Sequence, residues 1–112
     1  MNELRGQLSV DLGKDKHDVL LNLNAFRLLC KDKKLELTGL DEFVNSDPLD
    51  FIPTVIYWGV INACDFKGEP RPEINYNHMS AIICSDLEKF QELSEAVASA
   101  LGTSLGGGKE GN

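Results

Sequence analysis

Positive charge is scarce in this sequence of 112 residues: 11 Lys and Arg stand against 18 Asp and Glu, a formal net charge of −7. Phosphate backbones are held by clustered cations, so the balance argues against a nucleic-acid partner and equally against an anionic membrane surface. Long apolar runs are missing too. The longest charge-free stretch, Phe51–Cys64, falls short of the ~20 residues a membrane span needs and reads as a buried element. The opening residues Met1-Asn2-Glu3-Leu4-Arg5-Gly6 lack a basic region followed by an apolar run, which predicts no export signal and a cytoplasmic protein. Cysteine is limited to Cys30, Cys64 and Cys84, with no C-x-x-C pair. Neither a zinc knuckle nor a redox motif is expected, and the thiols read as buried and inert in a reducing compartment.

Catalytic signatures are equally thin. A phosphate loop needs G-x-x-x-x-G-K followed by Ser or Thr; Gly108-Lys109 is followed by Glu110, and position 103 is Thr. His17 and His78 lie far apart in sequence, neither with a local partner at metal-ligand spacing. His17 beside Asp18 reads as a surface pair, and His78 as a partly exposed helix opener. No cysteine follows a Gly-rich turn, so a Cys–His pair could be assembled only by the fold. Acidic pairs such as Asp41/Glu42 and Glu92/Glu95 read as solvated helix faces. The expectation is therefore no catalytic residue, no cofactor and no metal.

What is present is an ordinary domain composition, 42% hydrophobic and 26% charged, at a length that suits one core. Leu4, Leu8, Val10 and Leu12 share one parity, the mark of a half-buried strand. The polar run Gly13-Lys14-Asp15-Lys16 reads as a four- or five-residue loop, and His17–Leu23 as the returning strand of a β-hairpin. A lone hairpin is marginal in water, so helices must cover its apolar face.

The remainder reads helical. Asn24 is a plausible N-cap for 25–33, with Phe26, Leu29 and Cys30 on one face, and Lys31, Lys33 and Lys34 complementing the dipole at its end. Leu37, Leu40, Phe43 and Val44 fit a short helix ending at Asn45-Ser46-Asp47-Pro48. Asp50 can cap a central helix with Pro53 in its first turn. Ile52, Ile56, Val60 and Cys64 repeat one turn apart, while Val55, Tyr57, Trp58 and Ile61 fill the other faces. Thr54–Trp58 also favours strands, but the length of the run decides for a helix, with Trp58 buried in it. Asp65–Pro72 is a loop. Asn77 can cap a helix over 78–84, and Ser85-Asp86-Leu87-Glu88 has the form of a capping box. The last helix carries Leu87, Phe90, Leu93, Val97 and Leu101 in register. The fold class expected is α+β: an N-terminal β-hairpin packed on a bundle of four to five helices, with residues 1–101 one domain and 102–112 a flexible Gly-rich tail.

This order of elements resembles the tail assembly chaperones of long-tailed bacteriophages and prophages. The resemblance covers residues 4–101: the hairpin Leu4–Leu23, the helix opening Asn24-Ala25-Phe26, and the acidic helix Gly39-Leu40-Asp41-Glu42-Phe43-Val44. It continues through the apolar helix Ile52–Cys64 with Ile56-Tyr57-Trp58-Gly59, and the late pair Asn77–Cys84 and Asp86–Leu101. The central helix departs from the family pattern at Pro53 and Trp58. The resemblance implies a non-catalytic protein of the bacterial host cytoplasm. Such a protein binds the helical, aggregation-prone tape-measure protein and assists tail-tube subunits to assemble around it; some members have a longer frameshifted form. An acidic helical surface with apolar spots suits an amphipathic helix held in a groove.

The alternative from the residues alone is a generic cytoplasmic adaptor or regulatory protein-interaction module, with a small Cys or carboxylate enzyme as the third possibility. On the binding readings the partner is a protein, either tape-measure-like or a tail-tube subunit, with homo-oligomers also compatible. The short helices cannot bury both sides, so Phe43, Val44, Met79, Ile82 and Ile83 are the candidate partner-binding residues.

Overall fold

The computed structural model of the chain describes residues 6–13 and 15–105. It has the expected α+β architecture: an antiparallel hairpin, β1 (Gln7–Leu12) and β2 (Asp15–Leu20), followed by α1 (Leu23–Lys33), a 3-10 turn at Leu37–Gly39, α2 (Leu40–Ser46), α3 (Pro48–Lys67), α4 (Tyr76–Ile83) and α5 (Leu87–Leu105). None of the described helices is long and apolar enough to cross a membrane.

The hairpin register pairs Leu8 with Val19, Val10 with His17 and Leu12 with Asp15. Only positions 13 and 14 separate the strands, a tighter connection than the four or five residues expected. Gly13 meets the turn at φ +89, where L side chains are strained. The second strand stops at Leu20 instead of Leu23 because Asn22 takes over as N-cap of α1. Its Oδ1 accepts from the backbone N–H of Asn24 at 3.0 Å and of Ala25 at 3.2 Å. Leu23 is thereby the first helical residue and stands exposed.

Helix α3 is the centre of the molecule. It starts earlier than expected, with Asp47 at the N-cap and Pro48 at N1, where a missing N–H breaks no intrahelical bond. Pro53 therefore lies inside the helix rather than in its first turn. The Leu49 carbonyl that Pro53 cannot serve lies 3.9 Å from Cys84 Sγ, a thiol that can donate to it. The helix ends at Lys67 on Gly68, φ +75, whose N–H reaches the Cys64 and Asp65 carbonyls. Phe51, Ile52, Val55, Ile56 and Val60 are buried in one cluster with Val10, Val19 and Leu21 of the hairpin region. Ala25, Phe26 and Leu29 of α1, Met79 and Ile83 of α4, and Val97 and Ala100 of α5 complete it.

Two features lock α3 to the hairpin. Gly59 lets the backbones approach: a Cβ there would collide with Val19 and come within 2.8 Å of Leu21. One turn on, the buried Asn62 amide donates to the Leu20 carbonyl at 2.9 Å and to Asn22 Oδ1 at 2.9 Å, and accepts from Asn24 Nδ2 at 2.7 Å. A buried amide satisfied on both donors stabilises modestly in net terms, but it costs about 1–3 kcal/mol to leave its partners unmet, so it enforces one register.

The other caps also fall beside the expected positions. Asn75 rather than Asn77 caps α4, accepting from His78 N–H at 2.9 Å. Asp86 rather than Ser85 caps α5, accepting from Lys89 N–H at 2.7 Å. That makes Leu87 an exposed first residue, outside the apolar stripe expected to include it. Helical backbone continues past Leu101 to Leu105, taking in the first residues assigned to the Gly-rich tail; 106–112 lie outside the described residues.

Candidate functional site

Helix α1 is the most basic element of an acidic chain. Arg27 and Lys31 lie one turn apart on its exposed side, Lys33 ends its last turn and Lys34 is its C-cap. Because α1 packs along α3, its polar edge faces the side of α3 that the hairpin leaves uncovered. There Thr54, Tyr57 and Trp58 are met by Tyr76, the first residue of α4.

The result is a groove of three adjoining hollows. The middle one, about 410 Å³, is lined by Asp32, Lys33, Thr54, Tyr57, Trp58 and Tyr76. A second, about 400 Å³, shares Asp32 and Trp58 and adds Arg27, Leu28, Lys31 and Arg71. The third, about 300 Å³, shares Lys33 and runs past Leu35, Gly39, Glu42 and Ser46 to Phe43.

The aromatic side chains are held in place. Tyr57 packs edge-on against Trp58, centroids 5.1 Å apart, and against Tyr76 at 6.0 Å. The Trp58 indole N–H donates to Asp32 at 3.3 Å. Trp58 is thus half-buried with its ring edge in the groove, not a core residue as expected. The Tyr76 hydroxyl donates to Asp50 at 2.6 Å and lies 3.1 Å from the Thr54 hydroxyl, while Lys33 pairs with Asp50 at 3.6 Å. Burial, and then the Asp50 carboxylate, push the Tyr76 phenol up to about 12. Arg71 forms a two-pronged pair with Asp65 at 2.6 and 2.9 Å, which holds that carboxyl below its usual range.

The five residues expected to form an apolar edge separate. Met79 and Ile83 are core residues, 2% and 0% exposed: α4 turns them under the hairpin and against α3, so neither can meet a partner. Phe43 is half-buried at one end of the groove, edge-on to Phe51 at 5.4 Å and with Lys33 Nζ 5.9 Å above its ring. Val44, on the same short helix, is exposed. Ile82 lines a different hollow of about 380 Å³ between the hairpin and α4.

That second hollow joins His17 and His78, which sequence spacing had kept apart, with Asp15 and Glu73. Asp18 points elsewhere, to Lys67 at 2.8 Å, so the expected His17–Asp18 surface pair does not form. Among the described residues no group of His, Cys, Asp and Glu could hold a metal ion. The cysteines are not core thiols: Cys30 and Cys64 are half-buried and Cys84 is exposed. Desolvation nevertheless pushes all three thiols up, the reverse of what activates a nucleophile.

Sequence reasoning missed the groove because its parts come from separate segments. The usable signal was a cluster of cations on α1 together with Tyr57-Trp58 and Tyr76 in a chain poor in aromatics. Comparison with family models, with curated proteins and with solved structures gives no match.

Proposed function

We propose that the chain is a non-catalytic tail assembly chaperone of the phage or prophage type. It works in the bacterial cytoplasm, holding an amphipathic helix of a tape-measure-like protein while tail-tube subunits assemble around it. The observation that carries the binding half of this reading is the groove. In the buried middle of α3, between Phe51 and Ala63, Tyr57 and Trp58 remain accessible, ordered by Tyr76 and Asp32, with half-buried Phe43 at the far end of the groove and exposed Val44 next to it on α2. Rigid aromatic rings set in a concavity are the usual anchors of helix-in-groove recognition. Burial raises the three thiols, which favours binding over nucleophilic chemistry at them.

The test is co-expression with any tape-measure-like helical protein encoded beside this gene. The soluble yield of that protein should rise, the two should elute together, and Tyr57→Glu or Val44→Glu should abolish the gain while the variant stays folded by circular dichroism. Failure to solubilise the neighbour, with capture of an unrelated host protein through the same groove, would make the chain a general adaptor instead.

A further inference from the structure

We infer that the α1–α3–α4 groove selects a partner segment that is acidic around its apolar anchors: an amphipathic helix with Asp and Glu flanking the Leu or Phe side chains that enter the groove. The inference rests on the binding reading above and adds the chemistry of what is bound.

The charge map carries it. The chain as a whole is at −7, yet the two hollows that flank Trp58 are lined by Arg27, Lys31, Lys33 and Arg71 against a single carboxylate, Asp32. Asp32 accepts from Trp58, Asp50 faces Lys33 and Tyr76, and Asp65 takes Arg71. Lys31 makes no ion pair among the described residues, and Arg27 directs its Nε to the Asn24 amide at 2.8 Å. These two cations stand one turn apart on the exposed side of α1, along the rim of the aromatic hollow. A basic partner would meet like charge there, Lys31 being without an ion pair among the described residues and Arg27 only partly offset by Asp65, and would gain nothing from the aromatic floor that an acidic partner lacks. An acidic one brings carboxylates to Arg27 and Lys31 as its apolar residues cover Tyr57 and Trp58. The acidic remainder of the surface repels the same partner, so electrostatics directs it to this one face.

Trp58 is the sole tryptophan, so its emission reports occupancy of the groove directly. The probes are three designed helical peptides of about five turns, roughly 18 residues. They share one Leu/Phe face and differ only in a polar face of Glu, Gln or Lys. The Glu peptide should shift Trp58 emission and bind about tenfold or more tighter than the Gln peptide, with the advantage shrinking as salt screens it. Lys31→Glu should weaken the Glu peptide by about five- to tenfold, while Lys16→Glu, the same charge change on the hairpin away from these hollows, should leave it within about twofold.

Equal binding of all three peptides would overturn the charge selection and leave the groove as a docking site. Silence of Trp58 to every peptide, with co-expression still rescuing the neighbour, would remove both the groove and its selectivity and place the chaperone surface elsewhere. Concentration-dependent self-association that blue-shifts Trp58 and is broken by Lys31→Glu would make a second copy of this chain the occupant, overturning the inference of a separate acidic partner.

Discussion

The two sides of α3 are built to different ends. Toward the hairpin, every contact is close: Gly59 admits Val19 and Leu21, Ile56 is 0% exposed, and Asn62 ties the helix to Leu20, Asn22 and Asn24. Toward α1 and α4, the same helix presents Tyr57 and Trp58 to a groove, braced by polar contacts at their edges. The first side is a core and should respond to mutation by losing stability. The second is a surface ordered by its neighbours and should lose binding before it loses fold. Adjacent residues on one helix can thus be assigned to folding or to recognition by what they touch, even where their hydrophobicity is alike.

The largest effect is expected at Ile56. Truncation to Ala deletes a fully buried branched side chain in the centre of the cluster and should cost about 2–5 kcal/mol, read as a fall in the denaturant midpoint at unchanged slope. A loss of a few tenths would mean that the hairpin side is loosely packed, and the contrast with the groove side would disappear.

Gly59 sharpens the comparison because the sequence rule and the packing disagree about it. Ala is the better helix former by roughly 1 kcal/mol, so an exposed Gly59 would gain from the change. Here the new Cβ has nowhere to go. Val19 is β-branched and buried, and Leu21 is buried behind it. Gly59→Ala should be destabilising by about 1–3 kcal/mol. A stabilised variant would show that α3 can move away from the hairpin without loss.

Trp58 tests the other side. A fully buried aromatic costs about 3–5 kcal/mol to truncate, whereas this ring is half-buried and keeps its N–H at the surface, so Trp58→Ala should cost about 1–2 kcal/mol. The same substitution should remove most of the affinity for a groove ligand. A stability loss in the core range with binding retained would reverse the assignment of the two sides.

Much of this architecture was legible from periodicity. The alternation of Leu8, Val10 and Leu12, and the one-turn repeat of Ile52, Ile56 and Val60, report burial directly, because a strand and a helix have different periods. The boundaries were less legible for a local chemical reason. Asn22-Leu23-Asn24 and Asn75-Tyr76-Asn77 each offer two competent caps two residues apart. In both, the first is used, which for the α1 pair frees Asn24 for Asn62. Ser85-Asp86 poses the same choice, and the carboxylate takes it. For the α1 pair the choice goes with tertiary partners some 40 residues away, at Asn62, which no local pattern reveals. The same holds for the candidate site. Phe43 and Val44 stay at the surface because α2 is short and has no buried residue, while Met79 and Ile83, equally apolar and on an equally short helix, are covered by the hairpin. Which of two amphipathic faces remains open is a property of the packing, not of either helix.

The smallest expected effect lies where the two sides meet. Tyr76 fastens the start of α4 to α3 through Asp50 and Thr54, at the edge of the groove. Tyr76→Phe keeps the ring and its packing against Tyr57 and removes only the hydroxyl, so the loss should be about 0.5–1.5 kcal/mol near neutral pH. The signature is its pH dependence. Burial and the neighbouring Asp50 carboxylate raise the folded phenol from 10.0 to about 12, so the protonated form is the one the fold favours. The contribution from that shift is fully present below pH 10, declines as pH rises above 10, and is lost as pH passes about 12. The stability difference between parent and Tyr76→Phe should therefore narrow across that window, and tyrosinate absorbance of the folded parent should retain a late phase near pH 12 that the variant lacks. A parent titration without that late phase would show that the hydroxyl is solvated rather than held by Asp50. The start of α4 would then be fastened by ring packing alone, and the groove would lose the polar brace that distinguishes it from an ordinary apolar cleft.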